Sequence, residues 1–393
     1  MSIKTFIFIT WAIVSSQVHA RWLKGDLHTH TTYSDGDNSV YEVLNAAKKA
    51  DFDFMVITDH DTWMAGKPLH WEDLDYRDNQ MTLLYGVEWT TLKGHANIFS
   101  HKMFDYEKIW MANQEQNAQM AVDEAHKQDA IFSINHPNMM FGLEWNYEIP
   151  ENVDSIEVWN GVYRLQSRNA WSITKFWDVK LLAGQRVTGL GGSDTHKVYG
   201  TLSRLKNVGI PTTWVDSNDL DGKSILKAIK MGRVSISFSP DAPVLELLAD
   251  NNQDRLFEIK TGDNIISRNN IDFKIKIHNF KNENKDDRGF ASEFSHELTE
   301  AFESGKINVI DYLSQDKRSG KVKAVGVFKN GKLFKTWKIS GKVKEIVFSD
   351  QVKSGEKCYY RVELIGKPSA YYLENLLLYG KTIALTNPIY VNY

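Results

Sequence analysis

Short apolar segments that end at a histidine or a carboxylate recur through the first part of the chain, and they alternate with segments of helical periodicity. Residues 54–58 lead into Asp59 and His60, and residues 130–134 lead into His136. Continuous apolar runs of this length are typical of strands buried on both faces, and repeated β–α alternation favours a parallel sheet. The expected fold is α/β, most simply a barrel, in which the carboxyl ends of the strands gather polar side chains at one face.

The stretch GDLHTHTTYSDG at residues 25–36 places two histidines one residue apart. In a strand, His28 and His30 project to the same face, and Asp35 follows in a turn that can fold back over the strand end. Two imidazoles and a carboxylate suit a borderline divalent metal ion. A strand with one buried and one exposed histidine is the alternative, but the alternation of strand side chains argues against it.

Nine residues of metal-ligating types lie at or just past the strand ends, with His95 on the next loop or strand start. Nine ligands are more than one ion needs, and they suit two or three ions with a carboxylate such as Glu88 or Asp194 bridging. The nine candidates are His28, His30, Asp35, His60, Glu88, His95, His136, Asp194 and His196.

An ordered set of motifs resembles the successive motifs of the PHP superfamily, the polymerase and histidinol phosphatase metal-dependent phosphoesterases. The motifs are DLHTHT, SDG, ITDHDT, GVE, HANI, NHP and GGSDTH. The segments EVWNG, FWDVKLLAGQRV, GIPTTWV and TNPIYV are similar to its exported carbaryl-hydrolase-like (CehA/McbA-like) branch. The resemblance covers most of residues 23–239 and extends more weakly through the rest of the chain.

This resemblance implies a distorted seven-stranded (β/α) barrel that holds two or three divalent ions of zinc, manganese or iron. It also implies three sets of ligands, and no ligand position of the family pattern is lost in this sequence. The three sets are His28, His30, Glu88 and Asp194; Glu88, His95 and His136; and Asp35, His60 and His196.

Four further residues are candidates for substrate binding or proton transfer. The guanidinium groups of Arg164 and Arg168 suit a clamp on phosphate, although a pair of surface charges is the alternative interpretation. Asp61, His101 or a metal-bound water could protonate the leaving oxygen, and the sequence does not choose between them. Three carboxylates that flank ligand candidates are expected to orient ligand imidazoles from behind. They are Asp26, Asp59 and Asp61.

The pattern of the chain changes towards its C-terminal part, where helical segments give way to alternating, strand-like ones. We expect a hydrolase barrel over residues 21–239 and an all-β, sandwich-like domain over residues 240–393, with a polar insertion near residues 282–320. Asn330-Gly331 between two alternating segments predicts a β-hairpin. The tail supplies no candidate ligand, so we expect the barrel to carry the chemistry.

The first twenty residues have the pattern of an export signal. Lys4 precedes the apolar run FIFITWAIV, and Val18-His19-Ala20 fits a signal-peptidase site, which predicts a mature chain that begins at Arg21. An uncleaved anchor is the alternative, but the apolar run is short for a bilayer. We therefore expect an exported protein, periplasmic or secreted, with no transmembrane segment after cleavage.

Composition and motifs together give three hypotheses about function. A hydrophobic share of 42% is ordinary for a soluble globular protein, and a net charge of −3 gives no nucleic-acid footprint. The main hypothesis is a hydrolase of small-molecule phosphoesters, a phosphodiesterase or phosphatase, in which a metal-bound hydroxide attacks phosphorus. A hydrolase of carbamate, ester or amide bonds is the first alternative. The second is a non-catalytic glycan- or partner-binding protein on the same scaffold.

Overall fold

A computed structural model describes residues 21–393, with gaps. The gaps are residues 75–80, 140–143, 162–171, 200–206, 267–269, 279–289, 315–321, 341–342 and 367–381. The expected export signal, residues 1–20, lies outside the described residues. Among the described residues, no helix has the length and apolar character needed to cross a membrane.

Strands and helices alternate through the first part of the described chain, as the sequence predicts. The strands are β1 (Trp22–Asp26), β2 (Phe54–Ile57), β3 (Thr82–Thr91), β4 (Gly94–Ser100), β5 (Ile131–Ile134), β6 (Ser155–Asn160), β7 (Thr188–Gly192), β8 (Thr212–Asp216) and β9 (Val234–Ser237). The helices are α1 (Val40–Lys49), α2 (Glu107–Gln114), α3 (Ala118–His126), α4 (Asp178–Leu182) and α5 (Gly222–Lys230), with a 3-10 turn at Leu69–Asp73 and a π-helical turn at Ser172–Trp177.

The sheet formed by these strands is mixed, whereas the sequence pattern predicted a parallel one. Its order is β9-β8-β1-β2-β3-β4-β5-β6-β7, and β4 runs antiparallel to both of its neighbours. Only Leu92 and Lys93 separate β3 from β4, and a connection this short can join only antiparallel strands. The beginning of β4 therefore lies at the same edge of the sheet as the ends of β1, β2, β3, β5, β6 and β7.

β7, at one end of this part of the sheet, approaches β8, the strand next to the other end. The hydroxyl of Thr213 in β8 donates to the carbonyl of Gly191 in β7 at 2.7 Å and accepts from its N–H at 3.0 Å. Apolar side chains of the strands and helices fill the interior of this part, among them Trp89 and Phe132. A closed barrel of seven strands stays a prediction.

The second part of the chain is rich in strands, as its alternating pattern predicts. The strands are β10 (Val244–Asp250), β11 (Ile259–Lys260), β12 (Asn264–Ile265), β13 (Asn270–His278), β14 (Phe290–Glu293), β15 (Val322–Lys329), β16 (Lys332–Ser340), β17 (Glu345–Gln351), β18 (Cys358–Ile365), β19 (Thr382–Thr386) and β20 (Ile389–Val391). The polar insertion contains β14 and two helices. The helices are α6 (His296–Glu303) and α7 (Val309–Ser314).

Two sheets share a buried apolar cluster in this second part. One has the order β11-β10-β13-β17, and the other includes the run β14-β16-β15-β18-β19. Phe273 of the first sheet contacts Tyr360 of the second, with ring centroids 4.6 Å apart. The hairpin predicted at Asn330-Gly331 is confirmed, because β15 and β16 pair antiparallel and both turn residues have positive φ. A sandwich classification stays a prediction.

One sheet continues across the expected domain boundary at residue 239. β9 of the first part pairs antiparallel with β19, and Thr386 lies opposite Ser235 in that ladder. The C-terminal tail is thus joined to the first part by backbone hydrogen bonds as well as by the chain itself.

Candidate metal centre

All nine ligand candidates predicted from the sequence come together at one edge of the mixed sheet. They form four overlapping groups in which the ligand atoms lie within 4.8 Å of one another. The groups are His30, Asp35, His60 and His196; His28, His136 and Asp194; His28, His30 and Glu88; and His60, Glu88 and His95.

The strand directions explain why residues so far apart in sequence meet. His28 and His30 follow β1, His60 follows β2, and Glu88 lies in β3, so these side chains reach the edge where parallel strands end. His95 reaches the same edge from the opposite direction, because it lies at the beginning of the antiparallel strand β4.

Glu88 lies at the middle of the cluster, with its side chain only 1% exposed. Its Oε1 is 3.1 Å from Nδ1 of His95 and 3.4 Å from Nε2 of His136. Its Oε2 is 2.9 Å from Nδ1 of His60 and 3.3 Å from Nε2 of His30. The two oxygens of one carboxylate therefore face two different sets of imidazoles, which is the geometry that a bridging ligand needs.

The grouping differs in several respects from that implied by the family resemblance. His136 groups with His28 and Asp194, whereas the resemblance placed it with Glu88 and His95. The set of Asp35, His60 and His196 recurs with His30 added.

Hydrogen bonds behind two of the imidazoles fix which ring nitrogen faces the cluster. Nδ1 of His28 lies 3.0 Å from Oε1 of Glu157, and Nδ1 of His196 lies 2.9 Å from the backbone carbonyl of Asp194. A carboxylate and a carbonyl can only accept, so both Nδ1 atoms carry the proton when the imidazoles are neutral. Nε2 of each ring is then free to bind a metal ion.

Unpaired buried atoms at the centre show that the cluster fits metal ions. Within the described residues, Nε2 of His28 is buried with its carboxylate neighbours no closer than 3.5 Å, and Nε2 of His30 and Oε2 of Glu88 are buried without a well-aligned hydrogen bond. Buried polar atoms normally have a hydrogen-bond partner, and a site for a metal ion is one recognised reason why such a partner is missing. Imidazole and carboxylate ligands together suit zinc, manganese or iron.

The charges of the cluster favour anionic carboxylates. Burial acts to raise the pKa of Glu88, but the surrounding histidines outweigh it and hold this pKa well below its usual range; the same holds for Asp194. Burial lowers the pKa of His30 to about 4. Burial also opposes the protonation of His60, yet Glu88 and Asp35 raise its pKa to about 10. Deprotonated carboxylates are the form that binds metal.

Two of the ligand candidates have left-handed backbone conformations. His136 has φ of 25° and Asp194 has φ of 51°, values that are uncommon for residues other than glycine. Each is held by a backbone hydrogen bond, from His136 N–H to Oε2 of Glu157 at 2.8 Å and from Asp194 N–H to the His28 carbonyl at 2.8 Å. Such conformations cluster at functional sites, where the surroundings maintain them.

Two residues that orient the ligands were not predicted from the sequence. Glu157 contacts both His28 and the backbone of His136, and Asn135 donates to Oε1 of Glu88 at 2.8 Å. The signal for Glu157 was available, because an acidic residue in the apolar strand SIEVW is seldom buried without a partner. Gly192 makes room for it, since a Cβ at this position would overlap the Glu157 carboxylate.

Among the described residues, Asp26 and Asp59 make no direct hydrogen bond to a ligand imidazole. Asp26 accepts hydrogen bonds from the backbone N–H groups of His28, Ser193 and Gly209. Asp59 accepts from the backbone and hydroxyl of Thr31 and from the Ser34 hydroxyl, which lies 3.4 Å from Nδ1 of His30. Asp26 therefore fixes the backbone around the ligands, and Asp59 contacts a ligand ring only through Ser34.

The carboxylate of Asp61 is occupied by three donors. Its carboxylate accepts from the Thr90 N–H at 3.0 Å, from the Tyr106 hydroxyl at 2.9 Å and from Asn113 Nδ2 at 2.9 Å. Burial raises the pKa of Asp61 to about 7, and these hydrogen bonds offset part of the shift. Since three donors occupy its oxygens, the geometry supports a structural role better than proton delivery.

His101 lies at the other end of the sheet from the cluster. It follows β4, which begins beside the cluster at His95 and runs away from it, and six residues of strand span about 20 Å. There it contacts Gly222 at the start of α5. His101 is therefore too distant to protonate a leaving group at the centre. Arg164 and Arg168 lie outside the described residues.

Comparison with known proteins finds a partial match to one family. The family model of the PHP domain matches residues 26–159. Over 42 residues the chain is 45% identical to the DNA polymerase/3'-5' exonuclease PolX of Bacillus subtilis strain 168, a match that covers 11% of this chain and 7% of that relative.

Two solved structures resemble the chain at low sequence identity. One is a two-domain Bacteroides vulgatus protein containing a predicted PHP-like metal-dependent phosphoesterase, with 15% identity, a TM-score of 0.42 and coverage of 94% of this chain and 96% of that one. The other is an amidohydrolase from Chromobacterium violaceum with bound sulfate, with 14% identity, a TM-score of 0.27 and coverage of 44% and 87%. Residues 26–159, the part of the chain that the PHP-domain model matches, hold seven of the nine ligand candidates.

Proposed function

We propose that the chain is an exported metal-dependent hydrolase of phosphoesters, a phosphodiesterase or phosphatase, with two or three divalent ions in its centre. The observation that carries this proposal is the position of Glu88, whose two oxygens face separate sets of imidazoles in a buried cluster. Membership in the exported carbaryl-hydrolase-like branch belongs to the same proposal.

Some residues of the centre would bind the metal ions, and others orient the ligand side chains. Metal ions held here would lower the pKa of water and offset negative charge on a phosphoryl group. Glu88 spans the ligand groups, and Asn135 fixes one of its oxygens through the hydrogen bond at 2.8 Å. Glu157 fixes His28 in the tautomer that turns Nε2 inward. Burial of these residues excludes bulk water, which strengthens every charge interaction within the centre.

Two considerations favour a phosphoester over a carbamate, ester or amide. Several cations around one point match an anionic phosphoryl group, whose charge is spread over its oxygens, better than a neutral carbonyl. The Bacillus subtilis relative is named an exonuclease, an activity on phosphodiesters. Arg164 and Arg168 remain the proposed contacts to the substrate.

Metal analysis combined with a substrate panel tests this proposal. Purified mature protein should hold more than one zinc, manganese or iron ion per chain, and should hydrolyse bis-(p-nitrophenyl) phosphate or p-nitrophenyl phosphate faster than aryl carbamates. Glu88→Gln should lose ions from more than one position together with turnover. Glu246→Gln, the same change at a buried carboxylate of the tail that contacts His278, is the matched control.

Each unfavourable outcome has a separate meaning. A single ion per chain that Glu88→Gln leaves in place would refute the multinuclear centre. Faster turnover of carbamates than of phosphoesters would show that the preferred substrate is a carbamate. Bound metal without turnover of any substrate would favour a binding protein on a hydrolase scaffold.

A further inference from the structure

One edge of β7 is covered by side chains instead of a strand. β7 pairs with β6 along one edge, and no strand among the described residues pairs with its other edge through backbone hydrogen bonds. Alternate residues of a strand direct their N–H and C=O groups to the same edge, so Gly189, Gly191 and Ser193 face the uncovered side. Because this edge is buried, each of these groups needs a partner.

Three side chains from distant parts of the chain supply the partners. Asn387 accepts from Gly189 N–H at 2.8 Å and donates from Nδ2 to the Gly189 carbonyl at 2.8 Å. Thr213 both accepts from and donates to Gly191. Further along the same edge, Asp26 accepts from Ser193 N–H at 3.0 Å. The amide of Asn387 thus replaces the peptide group that a neighbouring strand would offer.

β7 leads directly into two ligand candidates. Gly192 ends the strand, and Asp194 and His196 follow, so the edge that Asn387 holds belongs to the element that places both. We infer that Asn387 is a positioning residue for the metal centre, and that the C-terminal tail completes the site through the edge of β7. This inference rests on the proposed function only for the metal that Asp194 and His196 would bind.

Asn387 is itself held firmly against the first part of the chain. Its Nδ2 also donates to the Val234 carbonyl at 3.1 Å, and its backbone N–H donates to the same carbonyl at 3.0 Å. On one side Thr386 pairs in the ladder between β19 and β9, and on the other the Pro388 carbonyl accepts from Gly262 N–H at 2.7 Å. The side chain therefore meets β7 from a fixed backbone, as a positioning role requires.

Hydrogen exchange tests the contact with β7 directly. In Asn387→Ala, the amide protection of residues 188–192 should fall by about tenfold or more, because the Gly189 groups lose their partners. Asn387→Asp keeps the acceptor for Gly189 N–H but turns a buried carboxylate oxygen towards the Gly189 and Val234 carbonyls, so its loss of protection should be at least as large. Thr386→Val is the matched control, since the side chain of this equally buried neighbour accepts from Val362 N–H within the tail and, among the described residues, makes no hydrogen bond to β7.

Chelator competition on the same folded proteins tests the link to the centre. Asn387→Ala should bind metal about tenfold more weakly than wild type, and Thr386→Val should bind it as wild type does even if its melting temperature falls. Unchanged protection of residues 188–192 in Asn387→Ala would refute the inference. Lost protection with unchanged metal affinity would refute the positioning role alone, whereas a wild-type protein that binds no metal would refute the proposed function instead.

Discussion

Replacement of Glu157 by glutamine should weaken metal binding through the tautomer of His28. Glu157 now accepts from Nδ1 of His28 at 3.0 Å, from the His136 N–H at 2.8 Å and from Asn160 Nδ2 at 2.9 Å. Glutamine has the same shape but only one accepting oxygen. If that oxygen stays with His136 and Asn160, the new NH₂ group faces Nδ1 of His28.

The imidazole must then reverse its tautomer. Nδ1 of His28 would accept from the new NH₂ group, and the ring proton would move to Nε2, the atom that faces Glu88 and Asp194 at 3.5 Å. A protonated Nε2 cannot bind a metal ion. Loss of a partner of this kind typically weakens metal affinity by about 10–100-fold, which corresponds to roughly 1.4–2.8 kcal/mol.

Competition with a chromogenic chelator would measure this change. Glu157→Gln should show weakened affinity for at least one ion, while Glu246→Gln, a buried glutamate of the tail, should bind metal as wild type does. Melting temperatures of the metal-free proteins would show that both variants are folded. Wild-type affinity for every ion in a folded Glu157→Gln protein would refute the tautomer argument.

Three other predictions follow from the same structure. Asp61→Asn should lower the free energy of unfolding by about 1–3 kcal/mol, because the new NH₂ group would face hydrogen-bond donors. A urea titration measures this change. Stability equal to that of wild type, together with a reduced kcat, would instead identify Asp61 as the acid. Two variants, Arg164→Ala and Arg168→Ala, should keep the metal content of wild type and show reduced phosphoester turnover. Wild-type kinetics in both variants would indicate that the two arginines are only surface charges. Removal of metal should lower the melting temperature, since an ion at 1,000 times its Kd stabilises the folded state by about 4 kcal/mol, and an unchanged melting curve would argue against tight binding.

Several candidate ligands could be predicted from sequence because strand ends and residue type agree at them. His28 and His30 share a face by their spacing, and His60 and His136 follow apolar runs short enough to be only strands. Such local patterns do not depend on knowing which strands are neighbours. The structure accordingly brings these residues into the same cluster.

Contacts that depend on strand order could not be predicted in this way. His101 follows an apolar run like the true candidates, but β4 is reversed, and the signal for this lies in the two-residue connection before the strand and not in its composition. The partnership of Asn387 with Gly189 joins residues 198 positions apart, and a single asparagine before a proline reads as a turn signal. Glu157 was placed in the correct strand, yet its role required knowing that His28 lies beside it.

Exposure within the candidate centre is uneven, and this bears on how the proposed substrate would bind. The side chains of Asp35 and His196 are 35% and 36% exposed, whereas those of His30 and Glu88 are at most 1% exposed. Among the described residues, a phosphoryl group of the proposed substrate would therefore approach from the side of Asp35 and His196. Its leaving group would then point outward, and selectivity among the proposed phosphoesters should depend on exposed side chains nearby, such as Trp63 three residues after His60.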